Sequence, residues 1–479
     1  MGAKNYGDYR KYMKSYKIKE VEWFIKDEGL LPVLQDFVIP EGGRRSYINA
    51  RYRGGQIFIK SFAEKGLPGF IRNKIASRGK REYALGNWLL SRSIKTPEPL
   101  GYGISRMGSY IVQQWIEGES FLAAFKASRC QSELMVKLAA LLKELKIHHV
   151  RHNDLHIENI LVSGNELYLI DLHKMKIKAS FTVLDEVSNL SQALADTYGY
   201  LDNDEKVTFF TTYGNPGIQE TVEHAIDRLV DRWIRKKKER AFQETSMIVA
   251  SGNRFYRAGM ENRATGEFQS VVKDDRKVKV ERYTDHIRKM YVSGRRLERA
   301  WRNHIVLAYM NLSIAPTAFY VELPGGSPMG SITMEDLHGK GQELDRYLDG
   351  MYDVMDVHER RQFTEKFTGF ILMITRKKIV HKDMKACNIF VLNDGRFMLL
   401  DVEDIRFRAF DEEALKRMLI QLNTTIPRRI STRDRIRFFL LFTSPMKVNK
   451  RSIFKVVYKE SMKRGVVYEG VGGLMREEW

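Results

Sequence analysis

The sequence predicts an α+β protein built from two similar halves, each with a strand-rich first part and a helical second part. Three observations support this prediction. A polar motif occurs twice, about 230 residues apart. Strand-like and helix-like segments follow the same order in both halves. Hydrophobic residues make up 43% of the chain, which is enough for packed cores. The predicted domains are residues 1–240 and 241–479.

The composition limits the classes of function. The 479 residues have a formal net charge of +20, which suits nucleic acid, anionic lipid or phosphorylated partners. The sequence contains no RNP sequence, zinc finger or GXXG loop, so nucleic-acid binding is not expected. Two cysteines exclude a disulfide framework and a Cys-rich zinc site. With no apolar run of about 18 residues and no apolar leader, we expect a cytoplasmic protein.

The repeated motif has a fixed spacing. Residues 152–171 read HNDLHIENILVSGNELYLID, and residues 381–401 read HKDMKACNIFVLNDGRFMLLD. In both copies an Asp is followed five positions later by an Asn. The final Asp comes 17 positions after the first Asp in one copy and 18 in the other. Two homologous halves are the simplest explanation.

The segments around the motif predict the elements of each half. In the first half the order is strands SYINARY and GQIFIKSF, helix REYALGNWLLSRS, strand YIVQQWI and helix ELMVKLAALLKELKIHHV. The second half has FQSVVK, KVKVERY, RRLERAWRNHIVLAYMN, SITMEDL and RRQFTEKFTGFILMITRKKIV in the same order. Apolar residues spaced by three and four indicate the helices before the motifs. The strand-rich parts are predicted at about 20–115 and 250–340, and the helical parts at about 116–240 and 341–479. The basic run IRKKKERAFQ, followed by SGN, indicates a junction near 235–250.

The spacing of the motif indicates a chemistry. If the apolar runs after the Asn form a hairpin, the first Asp and the Asn lie in a loop before it. The second Asp then lies at its far end, so that two carboxylates and an amide share one cleft. Such oxygen ligands suit Mg²⁺ or Mn²⁺ holding the phosphates of a nucleotide. The remaining carboxylate can accept a proton from an attacking hydroxyl, as phosphoryl transfer requires. A turn residue and a helix cap are the alternative for Asp154 and Asn159.

These residues resemble the catalytic and metal-binding loops of the protein-kinase-like superfamily. HNDLHIENIL is closer to small-molecule phosphotransferases, and HKDMKACNIF is closer to protein kinases. The flanking segments resemble the lipopolysaccharide kinase (Kdo/WaaP) family, in REYALGNWLLSRSIKTPEPLGYG, RRLERAWRNHIVLAYMNLSIAP and the basic run IRKKKERAF. The resemblance implies two tandem protein-kinase-like domains, each with a small β-rich N-lobe and a helical C-lobe.

The resemblance also implies ATP and Mg²⁺ (or Mn²⁺) as cofactors and assigns roles in the first half. Asp154 would be the catalytic base, with Asn159 and Asp171 as metal ligands. Lys60 would hold the α- and β-phosphates, and Glu82 would pair with this lysine. Two glycines of IPEGGRRSY would form a hairpin over the phosphates, although an ordinary turn is the alternative. They are Gly42 and Gly43.

The second half departs from the family pattern. Asp383 would be the base there, and Asn388 and Asp401 the metal ligands. KVKVERY has Glu281 where the family has its strand lysine, so Lys279, on the same strand face, becomes the candidate. The position of Glu82 is taken by Ala300, for which Glu298 is one replacement. The second half is then a kinase with altered nucleotide contacts or a weakened, partly regulatory copy, and we favour the weakened copy.

The resemblance implies an ATP-dependent phosphotransferase acting on a sugar hydroxyl of the lipopolysaccharide inner core, at the cytoplasmic face of the inner membrane. The expected partner is an acidic glycolipid or another hydroxyl substrate. Two alternatives stay open: a kinase-like scaffold with one or both sites inactive, and a kinase acting on protein Ser/Thr or on another small molecule. The basic and apolar segment 426–465 predicts either a peripheral contact with an anionic membrane or closing C-lobe helices with an exposed basic face.

Overall fold

The computed structural model describes residues 13–38, 47–63, 77–106, 108–128, 131–325 and 329–479. Helices and strands are mixed throughout this part of the chain, in agreement with the predicted fold class. The chain divides into two compact units, Met1–Leu229 and Val230–Trp479, which we call the first and second unit. In the described ranges, no helix has both the length and the apolar character needed to cross a membrane.

The first unit begins with a six-stranded antiparallel sheet and a short helix. The elements are β1 (Lys14–Ile18), β2 (Val21–Ile25), α1 (Leu31–Asp36), β3 (Tyr47–Tyr52), β4 (Gly55–Ala63), α2 (Arg78–Leu90), β5 (Pro99–Ile104) and β6 (Gly108–Gln114). The strand order is β1-β2-β5-β6-β4-β3. The predicted segments SYINARY and GQIFIKSF are strands β3 and β4, and REYALGNWLL lies in helix α2. The hairpin β1–β2 was not predicted from the sequence.

Helix α2 approaches the sheet closely at its first turn. Ser77 caps the helix by accepting a hydrogen bond from the Lys80 backbone N–H. A Cβ atom on Gly79 would lie 2.2 Å from the backbone oxygen of Tyr110 in β6, so only glycine fits at this separation. One turn later Glu82 is buried on the same helix. The close contact therefore fixes where Glu82 meets the sheet.

The rest of the first unit is mainly helical. Its elements are β7 (Glu119–Ser120), α3 (Phe121–Ala127), α4 (Gln131–Ile147), β8 (Val150–His152), β9 (Ile160–Ser163), β10 (Glu166–Leu169), β11 (Met175–Ile177), α5 (Val183–Leu194), α6 (Asn203–Tyr213) and α7 (Gln219–Glu239). The short strands form two small sheets, β10-β9-β7 and β11-β8. The division between the units falls inside α7, whereas the predicted boundary follows the last residue of this helix.

The second unit opens with a seven-stranded antiparallel sheet. Its elements are β12 (Ile248–Ser251), β13 (Arg254–Arg257), β14 (Phe268–Asp274), β15 (Val278–Tyr283), β16 (His286–Tyr291), α8 (Gly294–Tyr309), β17 (Ala318–Glu322) and β18 (Gly330–Glu335). The strand order is β12-β13-β17-β18-β16-β15-β14. The first six positions repeat the order of the first sheet, and β14 is an additional edge strand. The counterpart of the hairpin β3–β4 is therefore β15–β16.

The second unit also ends in a mainly helical part. Its elements are β19 (Gly341–Glu343), α9 (Leu344–Met351), α10 (Val357–Arg376), β20 (Ile379–His381), β21 (Ile389–Leu392), β22 (Phe397–Leu399), β23 (Ile405–Phe407), α11 (Glu412–Asn423), α12 (Thr432–Thr443), α13 (Lys450–Met462), β24 (Val466–Gly470) and β25 (Gly473–Glu477). A large apolar core joins α9–α13 to the hairpin β21–β22. The basic segment 426–465 contains helices α12 and α13.

Candidate functional site

The first-unit motif folds into a loop that is tied to the following hairpin. Strands β9 and β10 pair antiparallel, as predicted. The Asn159 side chain donates from Nδ2 to the Asp154 carbonyl oxygen at 2.8 Å. The Asn159 carbonyl accepts a hydrogen bond from the Ile170 N–H at 2.9 Å. Asn159 thus joins the loop carrying Asp154 to the end of β10, directly before Asp171.

The second-unit motif has the same connections. Strands β21 and β22 pair antiparallel. Asn388 donates from Nδ2 to the Asp383 carbonyl oxygen at 2.7 Å, and its own carbonyl accepts from the Leu400 N–H at 2.8 Å. The residue after Leu400 is Asp401. The repeated spacing in the sequence therefore corresponds to a repeated local structure.

Both of the final aspartates have a strained backbone. Asp171 has a φ of 59° and Asp401 a φ of 48°, in the left-handed region that favours glycine. Such a conformation costs on the order of 1–3 kcal/mol and persists only where the surroundings impose it. Strain of this kind is concentrated at functional sites. The two aspartates thus share one backbone conformation, as the repeated local structure requires.

Lys60 is buried between two acidic side chains in the first unit. Its Nζ lies 2.6 Å from Asp171 Oδ1 and 3.1 Å from Glu82 Oε1. The lysine is 5% exposed and the glutamate 2% exposed. Burial alone would lower the pKa of Lys60, but the charges of Glu82 and Asp171 outweigh it and raise the pKa above its ordinary value. The structure therefore brings together the predicted lysine, helix glutamate and aspartate.

His173 belongs to the same cluster and was not predicted as a site residue. Its Nδ1 lies 2.9 Å from Asp171 Oδ1 and 3.6 Å from Glu82 Oε2. Burial favours the neutral carboxyl, but the adjacent His173 ring and the charge of Lys60 hold the pKa of Asp171 well below its usual range. Single ligand atoms of Glu82, Asp171 and His173 lie within 4.8 Å of one another, a spacing that could hold a metal ion.

The donor set suits a divalent cation. Asp171 supplies carboxylate oxygen, and Asn159 keeps its amide oxygen while its amide nitrogen bonds to Asp154. Oxygen donors of this kind are preferred by Mg²⁺ and Mn²⁺. The predicted ligands of the first unit therefore have the donor chemistry that the predicted metal prefers.

Asp154 is the more accessible carboxylate of the first site, with its side chain 28% exposed. The Lys174 ammonium contacts its Oδ2, and His156 Nε2 lies 3.6 Å from its Oδ1. Its backbone N–H donates to His152 Nδ1 at 3.1 Å. Burial lowers the pKa of His152 to about 4, so this ring is neutral at pH 7 and can accept that bond. Asp154 is thus held in place while remaining open to a substrate.

The second unit has a different lysine from the one predicted. Lys289, on β16, lies 2.6 Å from Asp401 Oδ1 and 2.9 Å from Glu403 Oε1. Lys279 instead lies on β15, where its Nζ is 2.8 Å from Glu281 Oε1. Because β16 occupies the place of β4 in the strand order, Lys289 is the counterpart of Lys60.

The acid and the base around this lysine have exchanged places. In the first unit the helix supplies the acid, Glu82, and the turn after Asp171 supplies the base, His173. In the second unit helix α8 supplies Arg296, whose Nη2 lies 3.1 Å from Glu403 Oε1 in the turn after Asp401. We call this arrangement the exchanged pair.

The two residues proposed at the Glu82 position have other roles. Ala300 is fully buried in the core beneath the sheet of the second unit. Glu298 pairs on the surface of α8 with Arg302, at 3.0 Å.

Asp383 is held by two polar side chains of the second unit. Lys385 Nζ lies 3.0 Å from its Oδ2. Gln421, on helix α11, donates from Nε2 to its Oδ1 at 3.1 Å and accepts from the Met384 N–H at 2.9 Å. The aspartate side chain is 37% exposed. It is therefore fixed and accessible, as Asp154 is.

One sequence signal could have identified Lys289. Lys60 and Asp171 are 111 positions apart, and Lys289 and Asp401 are 112 apart. The additional strand β14 obscured this match. The sequence alone matches strands β14 and β15 to the hairpin β3–β4, whereas the counterpart is β15–β16. Gly42 and Gly43 lie outside the described residues.

The chain is similar to a known protein family and to solved structures. Residues 71–203 match the model of the Lipopolysaccharide kinase (Kdo/WaaP) family. The chain is similar to the solved structure of WaaP in complex with acyl carrier protein, at 17% identity and a TM-score of 0.31, over 40% of this chain and 87% of that one. It is also similar to a co-crystal structure of WbdD with a kinase inhibitor, at 14% identity and a TM-score of 0.27, over 40% of this chain and 45% of that one. No curated protein matches the chain.

The matched range contains Glu82, Asp154, Asn159, Asp171 and His173, which is most of the first-unit site. The range includes both the helix that carries the acid and the loop that carries the proposed base. The resemblance predicted from the sequence, to the lipopolysaccharide kinase (Kdo/WaaP) family, is therefore confirmed over residues 71–203 and indicates a phosphotransferase of the kinase type.

Proposed function

We propose that the first unit transfers the γ-phosphoryl group of ATP to a hydroxyl group of its substrate. The observation that carries the proposal is the buried cluster of Lys60, Glu82 and Asp171, joined through Asn159 to the accessible Asp154. A buried lysine paired with two carboxylates is a fixed positive charge of the kind that binds phosphates. An accessible carboxylate beside it can accept the proton of an attacking hydroxyl.

Each residue of the cluster has a role in this reaction. Lys60 contacts the α- and β-phosphates, and Glu82 fixes the lysine side chain. Asp154 accepts the proton of the acceptor hydroxyl, while the Lys174 contact fixes the orientation of its carboxylate. Asn159 and Asp171 would hold Mg²⁺ or Mn²⁺, which neutralises charge on the phosphates when bound.

The proposed acceptor is a sugar hydroxyl of the lipopolysaccharide inner core, reached from the cytoplasmic face of the inner membrane. The family match over residues 71–203 supports this class of acceptor. The formal net charge of +20 is also favourable, because an acidic glycolipid carries carboxylates and phosphates that a positive protein attracts.

We further propose that the second unit binds a nucleotide through Lys289. The expectation of a weakened copy depended on the missing strand lysine and on Ala300 at the position of the helix glutamate. Lys289 supplies a lysine beside Asp401. Asp383, Asn388 and Asp401 would then act as their first-unit counterparts do. The exchanged pair keeps an acid beside the lysine, although it comes from the turn and not from the helix.

Replacing Asp154 tests the proposal for the first unit. The full chain is incubated with Mg²⁺ and γ-labelled ATP on extracted lipopolysaccharide, and the product is analysed by mass spectrometry. Asp154→Asn keeps the shape of the side chain but removes the proton acceptor, so we expect transfer to fall by a factor on the order of 10² or more. Asp204→Asn, an exposed aspartate on helix α6, is the matched control and should keep the wild-type rate.

The outcomes separate the alternatives. An unchanged rate in Asp154→Asn would remove this residue as the base. Label found on protein Ser/Thr or on another small molecule, with lipopolysaccharide unmodified, would change the acceptor and keep the reaction. A wild-type chain whose melting temperature does not respond to Mg²⁺-ATP would favour the kinase-like scaffold, because a ligand that binds the folded state must raise that temperature.

A further inference from the structure

The helical part of the second unit contains a cavity of about 420 Å³ between helices α9 and α13. Most of its walls are apolar, formed by side chains such as Leu348, Phe363, Phe367, Phe439 and Val457. The lining residues do not include Lys289, Asp383 or Asp401, so the cavity is separate from the proposed nucleotide site. Cavities of this size and character are typical of small-molecule sites.

The charged residues along the cavity are mainly positive. Arg360, Arg428 and Arg435 line it, and the carboxylate among the lining residues is Asp434. That carboxylate is already occupied, because the Arg437 guanidinium and the Tyr352 hydroxyl, the latter at 2.6 Å, both contact it. The apolar walls are therefore combined with an excess of positive charge.

The guanidinium group of Arg435 is fixed by hydrogen bonds to uncharged oxygen atoms. Its guanidinium donates to oxygen atoms at the end of α11 and in the loop after it. These are the carbonyl oxygens of Asn423, Ile426, Pro427 and Ile430 and the side-chain Oδ1 of Asn423. None of these acceptors is a carboxylate, and within the described ranges Arg435 makes no ion pair. Burial lowers the pKa of Arg435 to about 10, so it stays charged at pH 7.

The two other arginines leave charge available for a ligand. Arg360 donates from Nε to the Tyr352 carbonyl at 3.0 Å and lies 4.2 Å from the centre of the Tyr352 ring. Arg428 is exposed, and its guanidinium contacts no carboxylate in the part of the chain that the structure describes. The lining thus carries three arginines and one aspartate, and Glu477 is the further carboxylate whose charge acts on Arg435. An anionic group at the cavity would therefore find an excess of positive charge.

We propose that this cavity binds an amphiphile with a single apolar chain and an anionic head, such as a long-chain carboxylate. The apolar walls remove the chain from water, which is the main driving force for such ligands. The arginines attract the anionic head and reject a cationic one, so that charge provides the specificity. This ligand site goes beyond the proposed phosphoryl transfer and does not depend on it.

Calorimetric titration of the full chain tests the proposal with two probes that share a chain and differ in the head. Dodecanoate, below its micelle concentration, should bind once per chain. Dodecyltrimethylammonium should bind at least about tenfold more weakly, because its head is repelled by the arginines. Equal affinity for the two probes, or no binding of dodecanoate, would overturn the proposal.

Variants locate the binding site. Val457→Trp fills the cavity from helix α13 and should abolish dodecanoate binding, and Arg428→Ala should weaken it several-fold. Lys455→Ala, an exposed lysine on the same helix that does not line the cavity, is the matched control and should bind as the wild type does. Dodecanoate binding that survives in folded Val457→Trp would place the ligand elsewhere. If circular dichroism shows that this variant is unfolded, the dodecanoate affinities of Arg428→Ala and Lys455→Ala are compared instead. Equal affinity of these two variants would overturn the proposed location.

Discussion

Lys60 and Lys289 each place one ammonium group against two carboxylates. Lys60 is buried, whereas Lys289 is partly buried and the Asp401 beside it is 37% exposed. Removing a partner from a buried pair costs about 3–5 kcal/mol, because the remaining charge is left without compensation. Both units have this arrangement at the same strand position. It indicates that the lysine has a role that an apolar residue could not fill. The proposed role is to bind phosphate.

Lys289→Met should therefore abolish nucleotide binding by the second unit, whereas Lys279→Met should leave it intact. Lys279 is the matched control because it lies on the neighbouring strand and pairs with Glu281. The measurement is the number of ATP molecules bound per chain at equilibrium, which should fall from two to one in Lys289→Met only. A loss of binding in Lys279→Met alone would restore Lys279 as the nucleotide-binding lysine.

At the residue scale, the sequence predicted side chains that the structure brings together in the first unit. Lys60, Glu82 and Asp171 form one cluster, and Asn159 connects them to Asp154. The spacing of the motif was sufficient for Asp154, Asn159 and Asp171, because a short loop and one hairpin fix their positions. Lys60 and Glu82 lie outside the motif and were assigned through the family resemblance. His173 and Glu403 were missed because their contacts depend on how the helix packs against the turn, which the local pattern does not record.

At the scale of elements, helix α2 determines whether the first cluster can form. Its first turn contacts β6 so closely that Gly79 cannot take a side chain without a shift of backbone. The counterpart α8 is held from the other side, since Asn303 donates to the Val402 and Ile405 carbonyls of the turn after Asp401. Each helix is thus positioned by a contact made within its own unit.

Gly79→Ala should lower both stability and phosphoryl transfer by the first unit. The added Cβ must push α2 away from β6, at a cost of about 1–3 kcal/mol, and this moves Glu82 away from Lys60. Gly217→Ala is the control, since a Cβ there would meet nothing closer than 3.9 Å. Calorimetry and the transfer assay give the two readouts, and a Gly79→Ala variant with wild-type values for both would contradict this role for the close contact.

The exchanged pair can be tested by reversing it. Arg296→Glu places a second acid next to the buried Glu403, so we expect a clear fall in the melting temperature of the second unit. Adding Glu403→His to this variant gives the helix an acid and the turn a base, as in the first unit. It should recover part of the loss, which a double-mutant cycle measures. Arg417→Glu, facing the exposed Glu413, is the control and should cost less than about 1 kcal/mol. Purely additive effects of the two substitutions would mean that the residues do not act as a pair.

The strands and helices around both motifs could be predicted from the sequence. Which strand of the second unit corresponds to which strand of the first could not. Alternation and helical spacing located FQSVVK and KVKVERY as strands β14 and β15. Which strand takes the place of β4 depends on the order across the sheet, and one additional edge strand changes it. Hydrogen bonding between distant segments sets that order, so the local pattern does not determine it.

At the scale of the whole molecule, positive charge is concentrated near the end of the chain. Residues 427–464 contain 12 Lys and Arg but only 2 Asp and Glu. This stretch also exposes apolar side chains, including Leu440 and Tyr458. Helices α12 and α13 belong to the helical part of the second unit and carry basic residues on their surface.

Binding to anionic vesicles should therefore depend on salt. If the segment contacts a membrane surface, co-sedimentation with phosphatidylglycerol vesicles should fall steeply as NaCl rises from about 50 to 500 mM, because the Debye length shrinks several-fold. Phosphatidylcholine vesicles are the control and should bind little at any concentration. Equal binding to the two lipids would show that the charge does not direct the contact.

The exchanged pair also means that the two helices cannot be grafted one at a time. Replacing α2 by α8 would set an arginine beside His173 and Lys60, with one acid remaining for three bases. The reverse graft would crowd a glutamate against Glu403 and Asp401. The helix and the turn must therefore be transferred together. A sequence search that requires a glutamate on the helix will overlook a site whose acid comes from the turn.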